Sequence, residues 1–135
     1  MPHKVTREPS GMYVKFWGKC AIPELFKVME EAGTDPHFKN MRYLLLDYID
    51  VIEQTVTEAQ VEEIAALGFA LRFTNPHFLH VSVANDETIC SLVKYAKTAV
   101  FDPERVAYFS TLEQARSWIQ QQQEPARFVR TGFLR

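Results

Sequence analysis

Tyr43-Leu44-Leu45-Leu46-Asp47 is the stretch that decides the architecture, a nearly continuous apolar run closed by a carboxylate. Successive side chains of a strand face opposite sides of a sheet, so an unbroken apolar run fits a central strand covered on both faces. Downstream, Thr57 can cap a helix and Gln60 completes a capping box. Val61, Ile64, Ala65, Gly68 and Leu71 then share one helical stripe. Upstream, Pro23 suits a first helical turn, and Leu25, Val28, Met29 and Ala32 recur on one face, which predicts a helix over 23–32 with Gly33 as its stop. Gly33 to Asn40 reads as a loop.

Further out, the turn formers of Glu8-Pro9-Ser10-Gly11 lie between two strand-like segments, so the chain opens with a β-hairpin. In its second arm Met12, Val14 and Phe16 alternate with Tyr13, Lys15 and Trp17, the period of a half-buried strand. After Asn75-Pro76, residues Phe78 to Ala84 alternate as a strand, and Asp86 opens a helix carrying Ile89, Leu92, Val93 and Ala96. Arg105 to Phe109 is a short strand, followed by a second capping box from Ser110 and Glu113. The order β-β-α-β-α-β-α-β-α implies one α/β domain over 1–122, its sheet mostly parallel with the hairpin as an antiparallel edge. Residues 123–135 carry three Arg and one Glu and read as a C-terminal tail over the surface.

Composition narrows the function classes. The 135 residues are 47% hydrophobic and 24% charged, an ordinary globular balance. Fifteen Lys and Arg against 17 Asp and Glu leave a formal charge of -2, without the basic field that nonspecific nucleic-acid binding needs. The longest uncharged apolar run, Ile64 to Leu71, is far shorter than the roughly 20 residues of a membrane span. The N-terminus has no apolar segment of the secretory kind, so the cytoplasm is the expected compartment. Cys20 and Cys90 lack CxxC spacing and read as small buried hydrophobes.

Enzyme signatures such as GxGxxG, GxxxxGK[ST], GxSxG and HExxH are missing. His77 and His80 fall on opposite faces of a strand and do not form a chelating pair; His3 and His37 read as surface residues. No cofactor and no metal is expected. Asp47, Asp50 and Glu53 follow the central strand at its carboxyl end, where open α/β sheets usually bind ligands. From Asp47 to Glu63 there are six acidic residues and no basic one. A solvated acidic first helical turn, favoured by the helix dipole, accounts for this run, with a Mg²⁺ or partner patch as the alternative. A phosphoacceptor receiver domain is rejected, because a paired-acid first strand and a Lys after the last strand are both absent.

The run Tyr43-Leu44-Leu45-Leu46-Asp47, the Thr57-capped helix and the closing segment Val106 to Ile119 together resemble the SpoIIAA-like, STAS-related family of small bacterial proteins. Glu113, Ala115, Trp118 and Ile119 fit the family's closing helix, with one residue between Glu and Ala. The resemblance implies a single-domain α/β fold with a mixed sheet of four or five strands and helices packed mainly on one face. In anti-sigma-factor antagonists of similar fold, the helix after the central strand carries a phosphorylatable Ser in a D-S-[SA]-G motif. Here Asp50-Val51-Ile52-Glu53-Gln54-Thr55-Val56-Thr57 occupies that position and the motif is absent.

The expectation is a noncatalytic cytoplasmic regulatory module acting through protein–protein contacts, with Asp47, Asp50, Glu53, Thr55 and Thr57 as the ligand or partner patch. The alternative is a carrier of a small apolar or lipid ligand, which the resemblance supports through related CRAL-TRIO domains. Ala66, Phe69, Ala70 and Phe73 form a second apolar stripe on the Thr57 helix. That stripe would line a pocket, cover a homodimer interface or sit under the tail residues Phe128, Phe133 and Leu134.

Overall fold

The computed structural model describes residues 3–85, 87, 94 and 103–133, with 65, 68, 69, 72, 73, 103 and 123–133 described in backbone only. Strands β1 (His3–Glu8) and β2 (Gly11–Cys20) form the N-terminal hairpin around Pro9-Ser10, paired antiparallel from Glu8↔Gly11 to His3↔Phe16. Strands β3 (Tyr43–Gln54), β4 (Leu79–Val83) and β5 (Val106–Phe109) then add in sequence order, each parallel to its neighbour. The result is a five-stranded mixed sheet in the order β1-β2-β3-β4-β5.

The apolar run of β3 is divided between the two faces of this sheet. Leu44 and Leu46 join Met12, Val14 and Phe16 of β2 against helix α1 (Ile22–Thr34), which contributes Val28, Met29 and Ala32. Helix α2 (Glu58–Thr74) closes the same face through Leu67 and Leu71. Tyr43 and Leu45 turn the other way and meet Val81 and Val83 of β4 under helix α3 (Leu112–Phe133). Ala115 and Ile119 of α3 are buried there, with Leu112 and Trp118 packed beside them, the three- and four-residue spacing of one helical face. Two of the three described helices thus lie on one face and the third on the other.

Several local expectations are corrected. Gly33 does not stop α1, which runs to Thr34; a β-carbon on Gly33 would stand 2.6 Å from Leu71 Cδ2, so the glycine serves the close approach of α1 to α2. The cap of α3 is Thr111, one residue later than the Ser110 box: its hydroxyl accepts from Gln114 N at 3.2 Å, while Ser110 Oγ donates to Gln114 Oε1 at 3.1 Å. Helix α3 also continues in backbone through Phe133, across the point where a tail was expected to begin. Of the helix expected from Asp86, residues 87 and 94 are described and are helical, and the rest, Cys90 with it, lies outside the described residues.

Candidate functional site

The central strand is longer than its apolar run. Strand β3 extends to Gln54, so Asp47, Asp50 and Glu53 lie within it and do not follow its end. Pairing with β4 ends at Asp47↔Val83, whereas pairing with β2 continues to Cys20↔Gln54. Residues 17–20 and 50–54 therefore form a two-stranded ribbon that projects past β4 at the carboxyl ends of the strands. Two register shifts fall in this ribbon: Lys15 and Trp17 face Asp47 and Asp50, and Gly18 and Lys19 face Val51 and Glu53. Each leaves one extra residue on β3, and bulges of this kind re-aim side chains. Gly18 accommodates the irregularity with φ 72°, a conformation that glycine adopts freely.

The first shift brings the two aspartates to one cation. Lys15 Nζ lies 2.9 Å from Asp50 Oδ2 and 3.6 Å from Asp47 Oδ2. The hydrogen bond to Asp50 raises the Lys15 pKa, against some desolvation. Asp47 is buried, at 3% exposure, and is held from three directions: by Lys15, by the Tyr13 hydroxyl, which donates to Oδ2 at 2.5 Å, and by the Ile49 N–H, which donates to Oδ1 at 3.0 Å. Desolvation and then the Asp47 hydrogen bond push the Tyr13 phenol upward. Asp47 is accordingly a satisfied structural carboxylate, and Asp50 is its exposed neighbour.

The network continues toward α3. The Arg116 guanidinium lies 5.3 Å over the Tyr13 ring and grips Glu8 with two bonds, 3.0 Å to Oε1 and 2.7 Å to Oε2. The Tyr43 hydroxyl also donates to Glu8. The Arg116 contact holds the Glu8 carboxyl below its ordinary range, and burial first, then Glu8, pushes the Tyr43 phenol up to about 12. An open cavity of about 330 Å³ beside this pair is lined by Pro9, Ser10, Tyr43, Arg116, Ile119 and Gln120.

The remaining patch residues are exposed, Glu53 within the ribbon and Thr55 and Thr57 just beyond it. Glu53 stands opposite Lys19, the Thr55 N–H donates to the Cys20 carbonyl at 3.0 Å, and Thr57 caps α2. The expected capping box is present: Gln60 N donates to Thr57 Oγ1 at 3.3 Å and Thr57 N donates to Gln60 Oε1 at 3.0 Å. The structure thus brings Asp47 and Asp50 together on Lys15 and leaves Glu53 outside that cluster. On α2, Ala66 and Ala70 are exposed, while the side chains of Phe69 and Phe73 lie outside the described residues.

Two apolar residues missing from the expected patch stand beside it. Trp17 is 41% exposed and Ile52 is 87% exposed, and they are the large hydrophobic side chains found exposed among the described residues. Trp17 is already on the outward alternation of β2 in the sequence, but the bulged extension that exposes Ile52 has no sequence signature. Of the histidines, His77 is exposed and His80 sits within β4, so they do not converge. His3 is not a surface residue as expected: its side chain is 11% exposed, with Nε2 3.6 Å from Glu31 Oε1 and the ring 5.9 Å from that of Phe16. Cys20 is buried, and desolvation raises its thiol to about 11. No metal-binding cluster of His, Cys, Asp and Glu occurs among the described residues.

A hairpin-edged parallel sheet in sequential strand order, with a long third strand leading into a Thr-capped helix, is the SpoIIAA-like fold. The chain is similar to the anti-sigma factor antagonist SpoIIAA in its unphosphorylated form, with a TM-score of 0.60 over 88% of this chain and 98% of that one, at 5% identity. It is also similar to an uncharacterized protein of the DUF3478 family with a SpoIIAA-like fold from Shewanella loihica PV-4, with a TM-score of 0.50 over 87% and 92% of the two chains, at 14% identity. The resemblance read from the sequence is matched in the fold. No protein-family model and no curated protein matches the chain. Among the described residues no helix is long and apolar enough to cross a membrane.

Proposed function

We propose that the protein is a noncatalytic regulatory module of the cytoplasm that works through protein–protein contacts made at the β2–β3 ribbon and the start of α2. The observation that carries this reading is the exposure of Trp17 and Ile52 on the ribbon, beside the exposed Glu53, Thr55 and Thr57. Scattered exposed apolar residues need no explanation, but two on adjacent strands of one projecting element form a contact surface. The internal pairing of Asp47 with Tyr13 and Lys15 supports a binding role over an acid–base one, since it leaves that carboxylate committed to the fold. Copurification from the cell of origin tests the reading. A partner retained by the wild type and lost from Trp17→Ser and Ile52→Ser, both still folded, is the expected result, and equal retention by all three would count against it.

The outer face of α2, with Ala66 and Ala70 exposed, is proposed as the site of self-association, together with Phe69 and Phe73. Sedimentation at tens of micromolar checks this, and a monomeric wild type would exclude the homodimer.

A further inference from the structure

We propose that the cavity between the hairpin turn and α3 is a binding site for a small uncharged polyhydroxylated molecule, a sugar or polyol of a single ring. The site stands apart from the ribbon. Gly11↔Tyr43 opens the β2–β3 pairing and Cys20↔Gln54 ends it, so the cavity lies at the amino ends of these strands and the ribbon at their carboxyl ends. Three segments distant in the sequence wall it: Pro9 and Ser10 of the turn, Tyr43 of β3, and Arg116, Ile119 and Gln120 of α3. These walls are tied together without a ligand. Arg116 joins α3 to the hairpin through its two bonds to Glu8 and lies over the Tyr13 ring, while Glu8 also accepts from the Tyr43 hydroxyl. A preformed concavity of this kind spares a ligand the cost of ordering its own site.

The lining selects the class of ligand. A volume of about 330 Å³ is at the lower end of the roughly 300–1,000 Å³ of small-molecule sites, which suits a single ring. Of the lining residues, Ser10 carries a hydroxyl, Gln120 a carboxamide and Arg116 a guanidinium with five N–H donors, two of them on Glu8; Pro9, Ile119 and the Tyr43 ring carry hydrocarbon. An apolar ligand would cover those polar groups without serving them, and a buried polar group left unserved costs its full desolvation. Charge is cancelled at the wall. An anion would have to share Arg116 with a Glu8 carboxylate already 2.7 Å away, and a cation would face the guanidinium itself. Arg42 adds no charge to the cavity. Its N–H donates to the Ser10 carbonyl and its carbonyl accepts from the Leu79 N–H across the sheet, so alternation sends its side chain to the opposite face from the Tyr43 ring. An uncharged ring with hydroxyls around its rim and C–H groups on its faces matches this mixture of hydrogen-bonding groups and hydrocarbon.

The full chain, labelled with ¹⁵N, is titrated to tens of millimolar with glucose, galactose, mannose and myo-inositol. Parallel titrations use glucuronate and glucosamine, which place a negative and a positive charge on the same kind of ring, and cyclohexanol, which keeps the hydrocarbon but has a single hydroxyl. The expected result is saturable shift changes at the amides of Ser10, Gly11, Tyr43 and Gln120 with at least one of the four uncharged ligands, which binds about threefold or more tightly than either charged ring or cyclohexanol. Ser10 is half-buried and Gln120 exposed, so Ser10→Ala and Gln120→Ala should both fold, and each should weaken that binding about threefold or more. Saturation by none of the four, equal or tighter binding of glucuronate, glucosamine or cyclohexanol, shift changes confined to another face, or unchanged affinity in both variants would overturn the proposal.

Discussion

Gly11 of β2 and Tyr43 of β3 face each other in register so closely that a β-carbon on residue 11 would stand 2.6 Å from the Tyr43 carbonyl oxygen and 2.6 Å from its ring carbon Cδ1. The obstruction is partly backbone, so it cannot be relieved by a rotamer change. Gly11→Ala should therefore destabilise by about 2 kcal/mol or more, in the range of overpacked cores. Gly33→Ala meets only the end of the Leu71 side chain at 2.6 Å and gains up to about 1 kcal/mol of helix propensity, so it should be close to neutral. Chemical denaturation of the two variants checks the contrast, and a Gly33→Ala penalty equal to that of Gly11→Ala would contradict it.

Thr57 is a structural cap. Its hydroxyl serves Gln60 N, and the Gln60 side chain returns the bond to Thr57 N. Thr57→Ala should lower stability by about 1 kcal/mol, whereas Thr57→Asp should be tolerated, because Asp also caps and suits the positive end of α2. Thermal melts give both values. Loss of partner binding in Thr57→Asp at unchanged stability would show that the residue does more than cap.

The legible part of this fold was the part written in short-range patterns. The alternation of Met12 to Trp17, the apolar run Tyr43–Leu46 and the Thr57–Gln60 box each encode an element through neighbours a few residues apart. What escaped was set by distant partners. Gly33 has the local chemistry of a helix stop, and only the approach of Leu71, 38 positions later in the sequence, shows its other use. Asp47, Asp50 and Glu53 read as following the central strand at its carboxyl end because carboxylates disfavour strand interiors. They are accommodated in β3 because Tyr13 and Lys15 of β2 stand opposite and because the register shifts turn Asp50 outward. Arg116 gave no signal at all, since its partner Glu8 lies at the other end of the chain.

The Tyr13–Asp47 bond should be measurable as a coupling. Asp47 is buried and charged, and a hydrogen bond to a charged group contributes about 1.5–3 kcal/mol. Tyr13→Phe should lower stability by an amount near the lower end of that range, because Lys15 and the Ile49 N–H still serve the carboxylate. Asp47→Asn should be more damaging, as it removes the partner of Lys15 as well as the acceptor of Tyr13. In a double-mutant cycle the two should couple by about 1 kcal/mol. Strict additivity would mean that the phenol and the carboxylate act independently.

Stability should fall with acidity in two separable windows. The His80 ring is desolvated within the fold, which lowers its pKa from 6.5 to about 4. A depressed folded value means that the unfolded chain takes up the proton first, so this share of stability is present above pH 6.5 and is lost progressively as the pH falls toward 4. The loss is at most about 3.5 kcal/mol, since each tenfold change in proton affinity is worth roughly 1.4 kcal/mol. Glu8 is also depressed, chiefly by its Arg116 bond, from an ordinary 4.5. Its contribution is present above 4.5 and disappears only as the pH drops through its lower folded value, when the carboxyl is protonated and releases α3 from the hairpin. Denaturant midpoints between pH 7 and pH 3 should therefore decline first through the histidine window and then more steeply below 4.5. His80→Gln should flatten the upper limb and leave the lower one, and Glu8→Gln should do the reverse. If His80→Gln left the decline between pH 6.5 and 4.5 unchanged, that decline would belong to another group.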